Sequence, residues 1–268
     1  MAYNNQAEIG KVFGEVFSAG EVKREDIFIT SKIWNVFHSY DQASEAVDII
    51  LRDLQIPYLD LCLIHWPQGY LEGHGMFPKD ENGIMQYQDT DYLDTWKAME
   101  SAQKAGKIRS IGFSNFNKDQ TDRIIKESEI KPCNLQVEAH PYLVQENCLK
   151  FCKERNLVMT SYSPLGNNTH MFRTPDQPNL LQEKIMLDIA AKYKKSPAQV
   201  AIRWALDRGT VVIPKSVTKS RIQENIEVFD FSLTPEEVKS IASLDRNLRL
   251  LPLPRDLKHK DYPFHIDF

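Results

Sequence analysis

His65 ends the apolar run Leu59-Asp60-Leu61-Cys62-Leu63-Ile64 and is followed at once by Trp66 and Pro67. An imidazole at the carboxyl end of a buried strand stands at the mouth of a sheet or barrel, where α/β folds place their chemistry, and there it can hold or move a proton. Taken alone, it reads first as a hydrogen-bonded core histidine. The recurrence of the pattern is more informative. Tyr3, Lys32, Ser114 with Asn115, Gln136, Tyr162, and Lys215 with Ser216 also stand where short β-rich or apolar runs stop. In a parallel α/β fold such residues reach one rim, where the chemistry of these folds is done.

The elements that must carry them alternate along the chain. Leu59 to Ile64 is nearly continuous in Leu, Ile and Cys, as a strand covered on both faces would be, and Pro67 stops its ladder. Before it come a helix with Ile9, Val12, Phe13, Val16 and Phe17 on one face, with Asn5 as N-cap and Gly20 as stop; a strand over 27–32; and a helix over 41–54. After it come an irregular segment over 68–91 and a helix around Trp96 and Met99 that Gly106 ends. Strands follow at 110–114, 134–138, 158–162 and 211–213, and helices at 118–128, 145–155, 181–193, 197–207 and 221–229. A second irregular segment spans 163–179. Thr234-Pro235-Glu236-Glu237 opens a last helix with a capping box, and the stretch from Arg249 reads as an extended tail. Repeating βα units without a linker predict one domain over 1–268, an α/β architecture with a parallel sheet. Six full strands and the stub 1–3 fall short of the eight of a closed (β/α)₈ barrel. The expectation is a TIM-type barrel incomplete at its N-terminus, with the first strand, first helix and most of the second strand absent.

Composition narrows the function. With 42% hydrophobic and 26% charged residues and a net charge of -4, the chain offers no general attraction to nucleic acid or to an anionic membrane. There is no helix-length apolar run and no signal or transit pattern, so a cytoplasmic protein is expected. Cys62, Cys133, Cys148 and Cys152 do not suggest a disulfide framework, and Cys148 and Cys152, one helical turn apart, read as paired core thiols rather than zinc ligands. A metal-dependent hydrolase lacks a His/Asp ligand cluster at the strand ends.

Several stretches together resemble the aldo-keto reductases. They are Tyr3-Asn4-Asn5-Gln6-Ala7-Glu8-Ile9-Gly10, Ile29-Thr30-Ser31-Lys32-Ile33-Trp34, Leu63-Ile64-His65-Trp66-Pro67 and Ile111-Gly112-Phe113-Ser114-Asn115-Phe116. Gln136-Val137-Glu138 with His140-Pro141-Tyr142, Tyr162-Ser163-Pro164-Leu165-Gly166 and Ile213-Pro214-Lys215-Ser216 complete the set, in order along the chain. The resemblance is to the aldose reductase-like members, with insect-type reductases of ecdysteroid ketones and long-chain aldehydes among them. It implies a TIM-type barrel that binds NADPH/NADP+ and reduces aldehydes and ketones; the sequence has no Gly-x-Gly-x-x-Gly.

By the same resemblance, Tyr3 is the general acid, Lys32 the cation that lowers the phenol pKa, and His65 the group that orients the substrate. Ser114, Asn115 and Gln136 hold the carboxamide, Tyr162 stacks on the nicotinamide, and Ser163 and Leu165 join the cofactor site. Lys215, Ser216, Arg221 and Asn225 grip the 2′-phosphate, where basic side chains and helix amides together suit an anion. Trp34, Trp66, Phe77, Phe172, Leu251 and Leu253 match the substrate cleft. The implied partner is a small carbonyl compound, with no metal, and a monomer if the barrel is complete. The family also places an aspartate shortly before the tyrosine, paired with the lysine, and that position falls ahead of Met1. The alternative reading is a truncated, non-catalytic relative with a binding or structural role.

Overall fold

The computed structural model describes residues 1–166, 177–266 and 268. The chain forms two compact units, residues 1–135 with 253–267, and residues 136–252 with 268.

In the first unit, strands β1 (Thr30–Ile33), β2 (Leu59–Ile64) and β3 (Ile108–Ser114) pair in parallel and in chain order. Every residue of β2 is buried, which is why its sequence shows no alternation. Helices α2 (Tyr40–Leu54), α3 (Tyr92–Lys104) and α4 (Lys118–Glu127) make the crossovers, and Trp96 and Met99 of α3 are fully buried. The ladder register sets Lys32 against Leu63 and Ile33 against Ile64, so the carboxyl ends of β1 and β2 finish level.

A buried carboxylate also sits inside this ladder. Asp60, 5% exposed, receives the Ile29 amide at 2.9 Å, Arg24 at 2.7 Å and Arg109 at 3.1 Å. Burial alone would raise its carboxyl, but the Ile29 amide and the two guanidiniums outweigh it and hold the group below the usual carboxylate range. This knot also corrects the expected strand over 27–32. Arg24 lies in a 3₁₀ turn, Arg24–Asp26, and donates to the Ile27 carbonyl as well, so the chain enters the sheet late and β1 begins at Thr30. Phe28 is left 71% exposed.

The stub 1–3 is not a strand but a turn, closed by the Asn4 amide on the Met1 carbonyl at 2.9 Å. Helix α1 (Gln6–Ser18) follows; Asn5 precedes it without a side-chain cap. Segment 68–91 is more ordered than its composition suggests, with antiparallel bridges Tyr70 to Tyr87 and Lys79 to Met85.

In the second unit, β4 (Asn134–Glu138), which begins in the first, continues beside β5 (Val158–Tyr162) and β6 (Val211–Val212). Helices α5 (Glu146–Glu154), α6 (Lys184–Tyr193), α7 (Pro197–Asp207), α8 (Lys219–Ile226) and α9 (Pro235–Ala242) accompany them. Its core gathers Tyr142, Met186, Val200, Trp204 and Ile241. Cys148 and Cys152 are buried on α5 as the one-turn spacing implied. The Thr234 capping box forms, with the Glu237 amide donating to Thr234 Oγ1 and the Thr234 amide to Glu237 Oε2. The tail is not simply extended, since Pro254–Asp256 and Pro263–His265 are 3₁₀ turns.

Helix α1 reaches α2 through a glycine. A Cβ on Gly10 would lie 2.0 Å from the Asp53 carbonyl oxygen and 2.9 Å from the Leu54 carbonyl carbon. Neither is a flexible atom, so Gly10→Ala must push α1 off α2. We expect it to destabilise the fold by about 1–3 kcal/mol, the cost of overpacking a fitted contact. A thermal melt checks this; an unchanged midpoint would show that α1 is free to move.

Candidate active site

The level ends of β1 and β2 bring three expected residues into one neighbourhood of the first unit. The His65 amide donates to the Ile33 carbonyl at 3.1 Å, continuing the ladder by one residue, and its own carbonyl accepts from Asn115 Nδ2 at 3.0 Å. The backbone of His65 is therefore held from both neighbouring strands. Asn115 adopts a positive φ of 61°, which asparagine tolerates better than most residues, and its amide also reaches Ser114 Oγ at 3.1 Å. The imidazole meets the edge of Trp34, ring centroids 4.9 Å apart, and the ring of Tyr3 at 6.4 Å.

Electrostatics at this spot are dominated by desolvation. Burial lowers the Lys32 ammonium from 10.5 to about 8, with the Cys62 thiol opposing the shift. His65 is held well below 6.5 by burial, then by Lys32 and the chain's amino terminus, so its ring is neutral at physiological pH. The amino terminus is itself lowered, by burial and by Lys32. Among the described residues no carboxylate pairs with Lys32.

Tyr3 differs from the expectation. Its phenol is pushed up, not down, and the cause is burial. The residue as a whole is 75% exposed.

The expected substrate-cleft residues divide. Trp34, Trp66 and Leu253 join Tyr70, Met85 and Tyr262 in one buried cluster, with Met1 and Ala2 packed against it. Phe77 is 44% exposed and meets Trp34 edge-on at 5.3 Å. Leu251 belongs to the second unit, where its amide donates to Glu138 Oε2 at 2.9 Å. Phe172 lies outside the described residues.

The expected cofactor residues of the second unit form two groups. Gln136 is buried on β4; Tyr162 ends β5, Ser163 has a φ of 52°, and Leu165 packs on the unit's core. Beyond β6, Lys215 is exposed and Ser216 Oγ accepts the Thr218 amide at 3.1 Å just before α8 begins. Arg221 is exposed in the first turns of α8, and Asn225 lies one turn further along the same face. Among the described residues Lys215 and Arg221 have no carboxylate partner. Two unpaired cations and a hydroxyl at the start of a helix suit a phosphate, so this donor set fits a phosphorylated cofactor.

A sequence profile described as the aldo/keto reductase family matches residues 2–246. The chain belongs to that family. Similar proteins include aldo-keto reductase family 1 member A1 of Gallus gallus, 47% identical over 274 residues, and its Homo sapiens counterpart, 43% identical over 273. Each alignment covers 98% of this chain and 84% of the relative. The solved structure of the aldose reductase from Schistosoma japonicum superposes with a TM-score of 0.93 at 40% identity, covering 99% of this chain and 84% of that one. The fold is therefore aldose reductase-like, and its parallel strands agree with a TIM-type α/β barrel.

Two anchoring groups escaped the sequence reading. Glu138, with no exposed surface, takes His140 Nε2 at 2.9 Å and the Leu250 amide at 2.6 Å on one oxygen and the Leu251 amide on the other. Asp256, equally buried, takes Gln68 and two tyrosines. Apart from His140, the donors to these two acids lie more than a hundred residues away in the chain, which leaves no local pattern.

Keeping an unpaired ammonium at Lys32 has a sign that can be tested. With a folded value of about 8 against 10.5 unfolded, the unfolded chain binds more protons between those pH values, so this group's penalty is full below pH 8 and fades as pH rises to 10.5. We expect Lys32→Met to stabilise the fold at pH 7 by about 1–3 kcal/mol, since each tenfold loss of proton affinity on folding costs about 1.4 kcal/mol. The gain should shrink above pH 9. Melts that show a loss at pH 7 would contradict it.

Proposed function

We propose that this protein reduces aldehydes and ketones to alcohols with NADPH. The observation that carries this reading is the convergence of Tyr3, Lys32 and His65 beside an apolar wall made by Trp34, Trp66 and Leu253. The family and the names of the relatives support the reaction class.

The residues would divide the work by their charge states. Tyr3, a protonated phenol, would give its proton to the carbonyl oxygen as that oxygen gains negative charge. Lys32, cationic below about pH 8, would stabilise the phenolate left behind. His65 is neutral and fixed through its backbone, so it would hold the carbonyl oxygen by a hydrogen bond instead of competing as an acid. The apolar wall would exclude water and seat the substrate's hydrocarbon part. Bound NADPH supplies the hydride. Ser114, Asn115, Gln136, Tyr162, Ser163 and Leu165 would hold its nicotinamide end, and Lys215, Ser216, Arg221 and Asn225 its 2′-phosphate.

Three observations favour the second reading, a binding or structural relative without turnover. Tyr3 is open to solvent, its phenol is raised, and Lys32 has no carboxylate partner among the described residues.

The experiment joins cofactor titration to turnover. NADPH binding, followed by protein fluorescence, should weaken about 10- to 100-fold in Arg221→Met, in line with about 1.5–3 kcal/mol for a hydrogen bond to a charged group, while NADH binding stays nearly constant. The unmutated chain should oxidise NADPH when given an aromatic aldehyde. Equal losses for both cofactors would overturn the phosphate assignment, and cofactor binding without turnover would establish the second reading.

A further inference from the structure

The tail turn at Pro254–Asp256 is tied to the candidate site by a side chain that contacts no expected substrate or cofactor residue. Asp256 has no exposed surface. Its Oδ2 accepts from Tyr70 OH at 2.7 Å and Gln68 Nε2 at 3.1 Å, and its Oδ1 from Tyr87 OH at 2.7 Å. Arg255 Nε stands 3.7 Å from the same carboxylate. Burial and then the neighbouring Asp256 push both phenols far above the usual tyrosine value, so they remain donors at any working pH.

Two consequences follow within the first unit. The Asp256 amide closes the turn on the Leu253 carbonyl at 2.9 Å. That turn holds Leu253 at a φ of 45°, a left-handed conformation that costs a branched side chain of order 1–2 kcal/mol and persists only when its surroundings enforce it. Leu253 is thereby turned into the apolar wall. Tyr70, held by Asp256, sets its ring edge-on to Trp34, centroids 5.8 Å apart, and Trp34 in turn meets His65 at 4.9 Å. The indole nitrogen of Trp34 is fixed separately by the Met76 carbonyl at 2.7 Å.

We infer that Asp256 is a specificity-positioning residue: by holding Tyr70, Tyr87 and Gln68 it sets Leu253 and Trp34 as the wall against which the hydrocarbon part of a bulky carbonyl substrate rests. It touches no reacting atom. The inference deepens the reductase reading and rests on it for the identity of the wall. Its effect should scale with substrate size, because a small aldehyde reaches Tyr3 and His65 without leaning on Leu253 or Trp34.

The test compares the unmutated chain with Asp256→Asn, Tyr70→Phe and Tyr87→Phe, using propanal and 4-nitrobenzaldehyde as substrates and NADPH as reductant. For Asp256→Asn the KM for 4-nitrobenzaldehyde should rise at least tenfold with kcat within about threefold, and kcat/KM for propanal should change less than threefold. Tyr70→Phe, which breaks the link toward Trp34, should shift KM in the same selective way, and Tyr87→Phe should do so less. If Asp256→Asn does not fold, Tyr70→Phe carries the test. Equal losses on both aldehydes, or no change on either, would overturn the inference. If the unmutated chain turns over neither aldehyde, the reductase reading fails; the inference is then read from binding of 4-nitrobenzyl alcohol by tryptophan quenching. Affinity should fall at least tenfold in Asp256→Asn, and unchanged affinity would overturn it.

Discussion

The parallel ladder of Thr30–Ile33 with Leu59–Ile64 sets Lys32 opposite Leu63 and carries His65 one residue past the last pair, where its amide still bonds Ile33. Because β2 is buried throughout, the register cannot slip without turning Asp60 away from the Ile29 amide and both arginines. An ion knot at one end of the ladder thus fixes which residues emerge at the other. Ser114 and Asn115, at the end of the next strand, inherit the same alignment through the bond from Asn115 to the His65 carbonyl.

What emerges is shaped by loss of water more than by ion pairing. Lys32 is driven to about 8 and His65 well below its ordinary value, and the main cause in both is desolvation. Burial keeps the imidazole neutral, and Lys32 remains a cation below about pH 8 in spite of it, which leaves a cation beside a neutral imidazole. The opposite sign at Tyr3 comes from the same cause, since removing water disfavours a phenolate as it disfavours an ammonium.

Much of this was legible in the sequence. The strands at Asn134–Glu138 and Val158–Tyr162 and the helix Pro197–Asp207 fall where apolar runs and caps place them, because their neighbours in the chain contain the information. Polar residues at strand ends marked a rim, and motif likeness carried the family. The entry into β1 is not visible locally because Asp60, 31 residues away, takes the Ile29 amide just before it. The composition of the tail suggests an extended chain because Gln68, one of the donors that order it, is 188 residues away in sequence. The direction of the Tyr3 shift was not legible either, since a motif names neighbours without saying how much water lies between them.

Tyr3, Lys32 and His65 are proposed to serve hydride transfer to a carbonyl. The most direct measurement supplies NADPH deuterated at the transferable position of the nicotinamide, together with 4-nitrobenzaldehyde and the unmutated chain, and determines the mass of the alcohol formed. One deuterium is expected on the carbinol carbon of each product molecule. Alcohol without deuterium, or a cofactor that binds and is never oxidised, would contradict the claim.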